Sequence, residues 1–126
     1  MITVEIENRS GAAVDEQAAG AHARTVLESE GVDEGEVGLS FVGLDEIRAL
    51  KRDHLGIDEV TDVLSFPLDG RDALPAGVPR ALGDVVLCPE VVGDDWRGPL
   101  THGLLHLLGY DHGDDMRARE RAYGRT

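Results

Sequence analysis

Three of the chain's five histidines, His102, His106 and His112, fall within one run of eleven residues, and the residues between them dictate how that run must fold. His102 and His106 are four apart, so on a helix their rings leave one face a single turn apart. Gly109 follows, and glycine is the residue best able to take the left-handed conformation that ends a helix. The chain can then turn back and return His112 toward the point shared by the first two rings. Two imidazoles at this spacing can bind one metal ion at about 2.0–2.1 Å each.

The offsets of His106, Gly109 and His112 from His102 are those of the metzincin zinc signature H-E-x-x-H-x-x-G-x-x-H. Three neutral imidazoles leave the fourth tetrahedral position open, whereas structural zinc sites are usually closed by four ligands. The pattern therefore predicts one catalytic Zn2+ per chain, held by His102, His106 and His112, with the water it binds brought to a pKa of about 7. The glutamate that serves metalloproteases directly after the first histidine is absent, and Gly103 stands there. That argues against glutamate-assisted peptide hydrolysis. His22 and His54 lie outside any ligand pattern; the first is expected on a helix face and the second near a helix end, where its charge would favour the dipole.

The 126 residues are enough for one domain, expected to span 1–126, with a single core. Only five residues are aromatic, so aliphatic side chains must fill that core. No stretch approaches the roughly 18 apolar residues of a membrane helix, and residues 1–5 lack the basic and apolar regions of a signal peptide. Cys88 is the lone cysteine and cannot form an internal disulfide. A cytoplasmic protein without membrane contact is expected. The net charge of −13 opposes broad phosphate contact, but it is unevenly spread. Residues 1–60 hold 14 acids and 5 bases, whereas residues 116–126 hold four arginines (Arg117, Arg119, Arg121, Arg125) and one glutamate.

Alternation of apolar and polar residues predicts strands at 2–7 and 36–42, and compact apolar runs predict strands at 62–66 and 82–88, closed by Pro67 and Pro89. Helical spacing appears at 14–30, 44–55, 99–108 and 114–123, with stops at Gly31, Gly56 and Gly109. Residues 69–79 are rich in glycine and proline and read as a loop. The expected class is α+β: a small mixed sheet of about four strands packed with helices, with the zinc site on a C-terminal helix and the turn after it, a zincin-like arrangement.

The run from Thr101 to His112, with Tyr110 and Asp111 ahead of the last histidine, resembles the signature of the YbeY family of endoribonucleases. Thr61-Asp62-Val63-Leu64-Ser65-Phe66-Pro67 is similar to that family's T-[DN]-V-L-S-F-P strand, and Leu82-Gly83-Asp84-Val85-Val86-Leu87-Cys88 to its L-G-D-I-V-I-x strand. The resemblance implies a zinc-dependent, single-strand-specific endoribonuclease acting on rRNA, at the 3′ end of small-subunit 16S rRNA, and in ribosome quality control. It implies single-stranded RNA and the small ribosomal subunit or its assembly factors as partners, and no DNA. Two positions depart from the family pattern. The arginine usual six residues before the strand's threonine is Leu55 here, with Arg52 nearby on a different helix face. The segment 89–101 is short, so the histidine helix is expected to start just before His102.

Asp111 either orients a ligand imidazole as a neighbouring carboxylate or caps the turn. Asp62 and Asp84 read either as supports of the metal ligands or as turn residues, Ser65 either as a hydrogen-bond donor to substrate or as a core-strand serine bonded to backbone, and Cys88 as a small core residue. The C-terminal arginines read as a solvated basic tail or as contacts to RNA backbone. Two other functions stay open: a non-catalytic or weakly active zinc-binding ribosome-assembly factor, and a metallohydrolase of another substrate.

Overall fold

Ile2, Val4 and Ile6 alternate with Thr3, Glu5 and Glu7, and this half-buried strand, β1 (Ile2–Asn8), forms one edge of the sheet. The structure is a computed structural model that describes residues 1–110 and 114–123. Helix α1 (Glu16–Ser29) follows, its N-terminus capped by the Asp15 carboxylate, which accepts from the Ala18 amide at 3.0 Å. Then come β2 (Gly35–Phe41), α2 (Leu44–Leu55), β3 (Val63–Pro67) and β4 (Ala81–Leu87). The four strands make one mixed sheet in the order β1-β2-β4-β3. β2 runs parallel to β1 and to β4, whereas β3 is antiparallel to β4, pairing Val63 with Leu87 and Pro67 with Gly83. Pro67 is tolerated because β3 is an edge strand. The α+β class and the four-stranded mixed sheet agree with the sequence expectation.

Apolar side chains divide between the two faces. Val85 and Leu87 of β4 join the larger core with α1 (Ala19, Ala23, Val26, Leu27) and the histidine helix (Leu100, Leu104, Leu105, Leu107). Val86 and Leu64 point the other way, to Ile47 and Leu50 of α2. A strand covered on both faces carries a near-continuous apolar run, which is why β4 lacks alternation.

Two expectations about the approach to His102 are corrected. Pro89 does not merely stop β4; it opens a short helix, α3 (Pro89–Val92), because a proline's fixed φ suits the first helical position. The histidine helix α4 (Arg97–Leu107) begins before residue 99. Pro99 fits in its first turn, where a missing N–H breaks no helical bond. More than a turn of helix therefore precedes His102, and Leu100 and Thr101 within it are fully buried. Thr101 donates its hydroxyl to the Arg97 carbonyl at 2.8 Å, so at its 2.8 Å contact with His22 Nε2 the imidazole is the donor. His22 thus lies on the buried face of α1, against α4, and burial, with Arg97 nearby, lowers its pKa.

α4 ends as the sequence suggests. Gly109 takes φ +95°, its amide bonds the His106 carbonyl at 3.0 Å, and the Tyr110 amide bonds the Leu105 carbonyl at 3.1 Å. These two bonds form a Schellman motif, which satisfies carbonyls left open at the helix end. Helix α5 (Asp114–Tyr123) is the last element among the described residues and packs on α4.

Candidate metal centre

On α4 the four-residue spacing brings His102 and His106 together. Their Nε2 atoms lie 3.1 Å apart, with ring centroids separated by 4.6 Å and planes at 83°. Two ligands bonded at about 2.0–2.1 Å to one tetrahedral ion stand roughly 3.3 Å apart, so the pair fits zinc with little adjustment. Both rings are partly exposed and open onto a cleft. His112 and Asp111, the remaining expected site residues, lie outside the described residues. Among the described residues no group of three side chains is arranged to hold a metal ion.

One carboxylate near the pair was not singled out from the sequence. Glu120 on α5 places Oε2 3.4 Å from Nδ1 of His102, the ring nitrogen away from His106. The available signal was its spacing: Glu120 follows Met116 by four residues, and Met116 is buried in the core, so both lie on the inward side of α5.

Gly103 packs α4 onto the sheet. A Cβ there would come within 2.7 Å of Val85 Cγ1, 3.1 Å of Ser65 Oγ and 3.2 Å of Val63 Cγ2. Ser65 donates to the Gly103 carbonyl at 3.1 Å and ties β3 to α4. Gly103→Ala is expected to destabilise by about 1–2 kcal/mol, since overpacking costs roughly 1–3 kcal/mol and alanine's helix preference returns up to about 1 kcal/mol. Urea denaturation measures this, and unchanged stability would show that the helix can lift without cost.

The cleft, of about 1070 Å³, runs between the end of α2, β3 and α4. His102, His106 and Glu120 line it, as do Lys51, His54, Leu55, Asp62 and Ser65. Leu55, standing where the resemblance reserves an arginine, is 58% exposed. Arg52 does not take that place: it pairs with Asp53 at 3.2 Å, whereas Lys51, one turn before Leu55, lines the cleft and pairs with Glu59 at 2.7 Å. His54 packs edge-on against Phe66, centroids 4.9 Å apart.

The other singled-out residues are dispersed. Asp62 accepts from the Val63 amide at 2.8 Å just ahead of β3, while Asp84 is exposed in mid-strand. Cys88 is buried in the smaller core. Arg119 lies 3.8 Å from Glu30, Arg117 and Arg121 are exposed, and Arg125 lies outside the described residues. Glu30 itself organises the end of α4. Its side chain is 2% exposed and accepts from the hydroxyls of Tyr110 and Tyr123, each at 2.7 Å.

No helix among the described residues is long and apolar enough to cross a membrane. The family model of endoribonuclease YbeY matches residues 5–123. An endoribonuclease YbeY of Salinispora tropica is 38% identical over 94% of this chain and 88% of its own. One of Beutenbergia cavernae is 39% identical over 94% of this chain and 89% of its own. The solution structure of a Thermotoga maritima protein superposes with a TM-score of 0.62, covering 97% of this chain and 87% of that one; at 24% identity it shows the shared fold.

Proposed function

The chain belongs to the endoribonuclease YbeY family, and from that premise we propose that it is a zinc-dependent endoribonuclease that cuts single-stranded RNA during maturation of the 3′ end of small-subunit 16S rRNA and in ribosome quality control. The observation that carries the metal is the convergence of His102 and His106 Nε2 atoms, 3.1 Å apart, at the wall of a cleft of about 1070 Å³. His102, His106 and His112 would hold the ion. Bound there, zinc supplies Lewis acidity toward a phosphoryl oxygen and lowers the pKa of a water to about 7.

The protein's own residues shape the rest. Lys51 and His54 line the cleft beside Leu55 and offer the cationic and hydrogen-bonding groups that position a phosphate backbone without reading sequence. Ser65 and Gly103 hold α4 on β3, which keeps the two imidazoles at a fixed height above the sheet. The working partners are single-stranded rRNA and the small ribosomal subunit or its assembly factors, in the cytoplasm.

Purified protein loaded with zinc should cut single-stranded RNA and leave duplex RNA and single-stranded DNA intact. Chelation should stop the cutting and added zinc restore it. Metal-replete protein that leaves single-stranded RNA whole while hydrolysing other phosphoesters would refute the substrate assignment.

A second reading, a weakly active zinc-binding assembly factor, draws support from the apolar, exposed Leu55 in the cleft. On that reading Leu55→Arg raises RNA cleavage by roughly 10-fold or more, in line with the roughly 1.5–3 kcal/mol of a hydrogen bond to a charged group. Equal rates for the two proteins would remove its support.

A further inference from the structure

We propose that Glu120 is a positioning residue of the metal centre: its carboxylate holds Nδ1 of His102 so that Nε2 is presented to the point shared with His106. The inference rests on the zinc reading above and goes beyond its three ligands to the group that orients one of them.

The argument begins with the imidazole. Its two nitrogens differ in role, and which one carries the proton is set by the partner of the other. For His102 the structure gives the two nitrogens different surroundings. Nε2 faces His106 Nε2 at 3.1 Å, and Nδ1 faces Glu120 Oε2 at 3.4 Å. A carboxylate accepts hydrogen bonds and donates none when ionised, so it favours a proton on Nδ1 and leaves the Nε2 lone pair for a metal. The same contact opposes rotation of the ring, which would exchange Nδ1 for a carbon.

Glu120 is well placed to hold this position. Its side chain is only one-third exposed and that of His102 one-quarter, so water competes less than at an open surface. It also stands on a helix anchored at both ends of its inward face. Met116 is buried in the core, and the Tyr123 hydroxyl donates to the buried Glu30 carboxylate at 2.7 Å. α5 thus works as a rigid backing for the ligand helix. Removing such partners of a ligating histidine typically costs about 10–100-fold in metal affinity or activity.

The test is zinc affinity, measured by competition with a chromophoric chelator, for the wild type, Glu120→Ala, Glu120→Gln and the exposed same-helix control Arg121→Ala. Glu120→Ala should bind zinc about 10–100-fold more weakly. Glu120→Gln, which can still accept from Nδ1 without a charge, should fall between that and the wild type. Nitrogen-15 spectra of the metal-free proteins should show the Nδ1–H tautomer of His102 in the wild type and a mixture in Glu120→Ala. Folded variants that bind zinc as tightly as the wild type, with the tautomer unchanged, would overturn the positioning role and leave the zinc reading standing. A wild type that takes up no zinc would overturn both. If Glu120→Ala does not fold, the near-isosteric Glu120→Gln decides by the same two measurements.

Discussion

His106→Ala is expected to abolish stoichiometric zinc binding and to lower RNA cleavage by at least about 100-fold, the upper range for losing even an indirect support of a metal ligand. The fold should survive. His106 is partly exposed, its side chain faces the cleft, and alanine is a better helix former than histidine. The carbonyl that accepts from Gly109 in the helix-ending motif belongs to the backbone and remains. Metal analysis, circular dichroism and an RNA cleavage assay on one preparation separate these effects. A folded His106→Ala protein that keeps one zinc and wild-type cleavage would refute both the ligand assignment and the metal's part in the reaction.

The second large effect concerns Glu30. Burial alone would push its pKa up, but hydrogen bonds from Tyr123 and Tyr110 and the charges of Arg119 and Arg71 outweigh it, and the net shift is downward from 4.5. A carboxylate with a depressed folded pKa contributes stability that is present above its unfolded pKa and is lost as pH falls through the lower folded value. Wild-type stability should therefore decline as pH drops below about 4.5, and part of that decline should vanish in Glu30→Ala. At neutral pH the variant removes the carboxylate to which both tyrosine hydroxyls donate. It should lose about 3–6 kcal/mol, taking roughly 1.5–3 kcal/mol for each hydrogen bond to a charged group. Urea denaturation at two pH values measures both numbers. Tyr110 stands two residues before His112, so zinc affinity should weaken as well. An equal acid decline in the two proteins would show that Glu30 is not the titrating latch.

Much of this molecule is visible in its sequence because local rules and tertiary demands agree. The alternation in β1, the glycine stops of α1, α2 and α4, and the turn-rich segment between β3 and β4 all form where their patterns suggest. The proximity of His102 and His106 needs only helical spacing. Apart from the short helix that Pro89 opens, what escaped has a common cause: it depends on contacts between segments distant in sequence. The early start of α4 follows from burying Leu100 and from the bond between Thr101 and His22, 79 residues away. The Glu30 latch joins the end of α1 to Tyr110 and Tyr123, 80 and 93 residues on. Glu120 reaches His102 only because α5 folds back across α4. Lys51 rather than Arg52 lines the cleft because of the rotation of α2 on the sheet, which α2's short apolar stripe did not define.

Gly103 bears on how such a protein can change over generations. The glutamate of the zinc-protease signature would stand directly after the first histidine, at Gly103, and placing it there in one step costs stability. Val85, Val63 and Ser65 crowd the space its first carbon would need, so those neighbours would have to shift or be trimmed to smaller side chains. Each such step opens a void under the ligand helix at a cost typically of about 1 kcal/mol or more. Intermediates on that route lose stability before any new activity arrives to offset it. The seat of one helix on one sheet thus separates this lineage from a chemistry whose histidine spacing it otherwise shares.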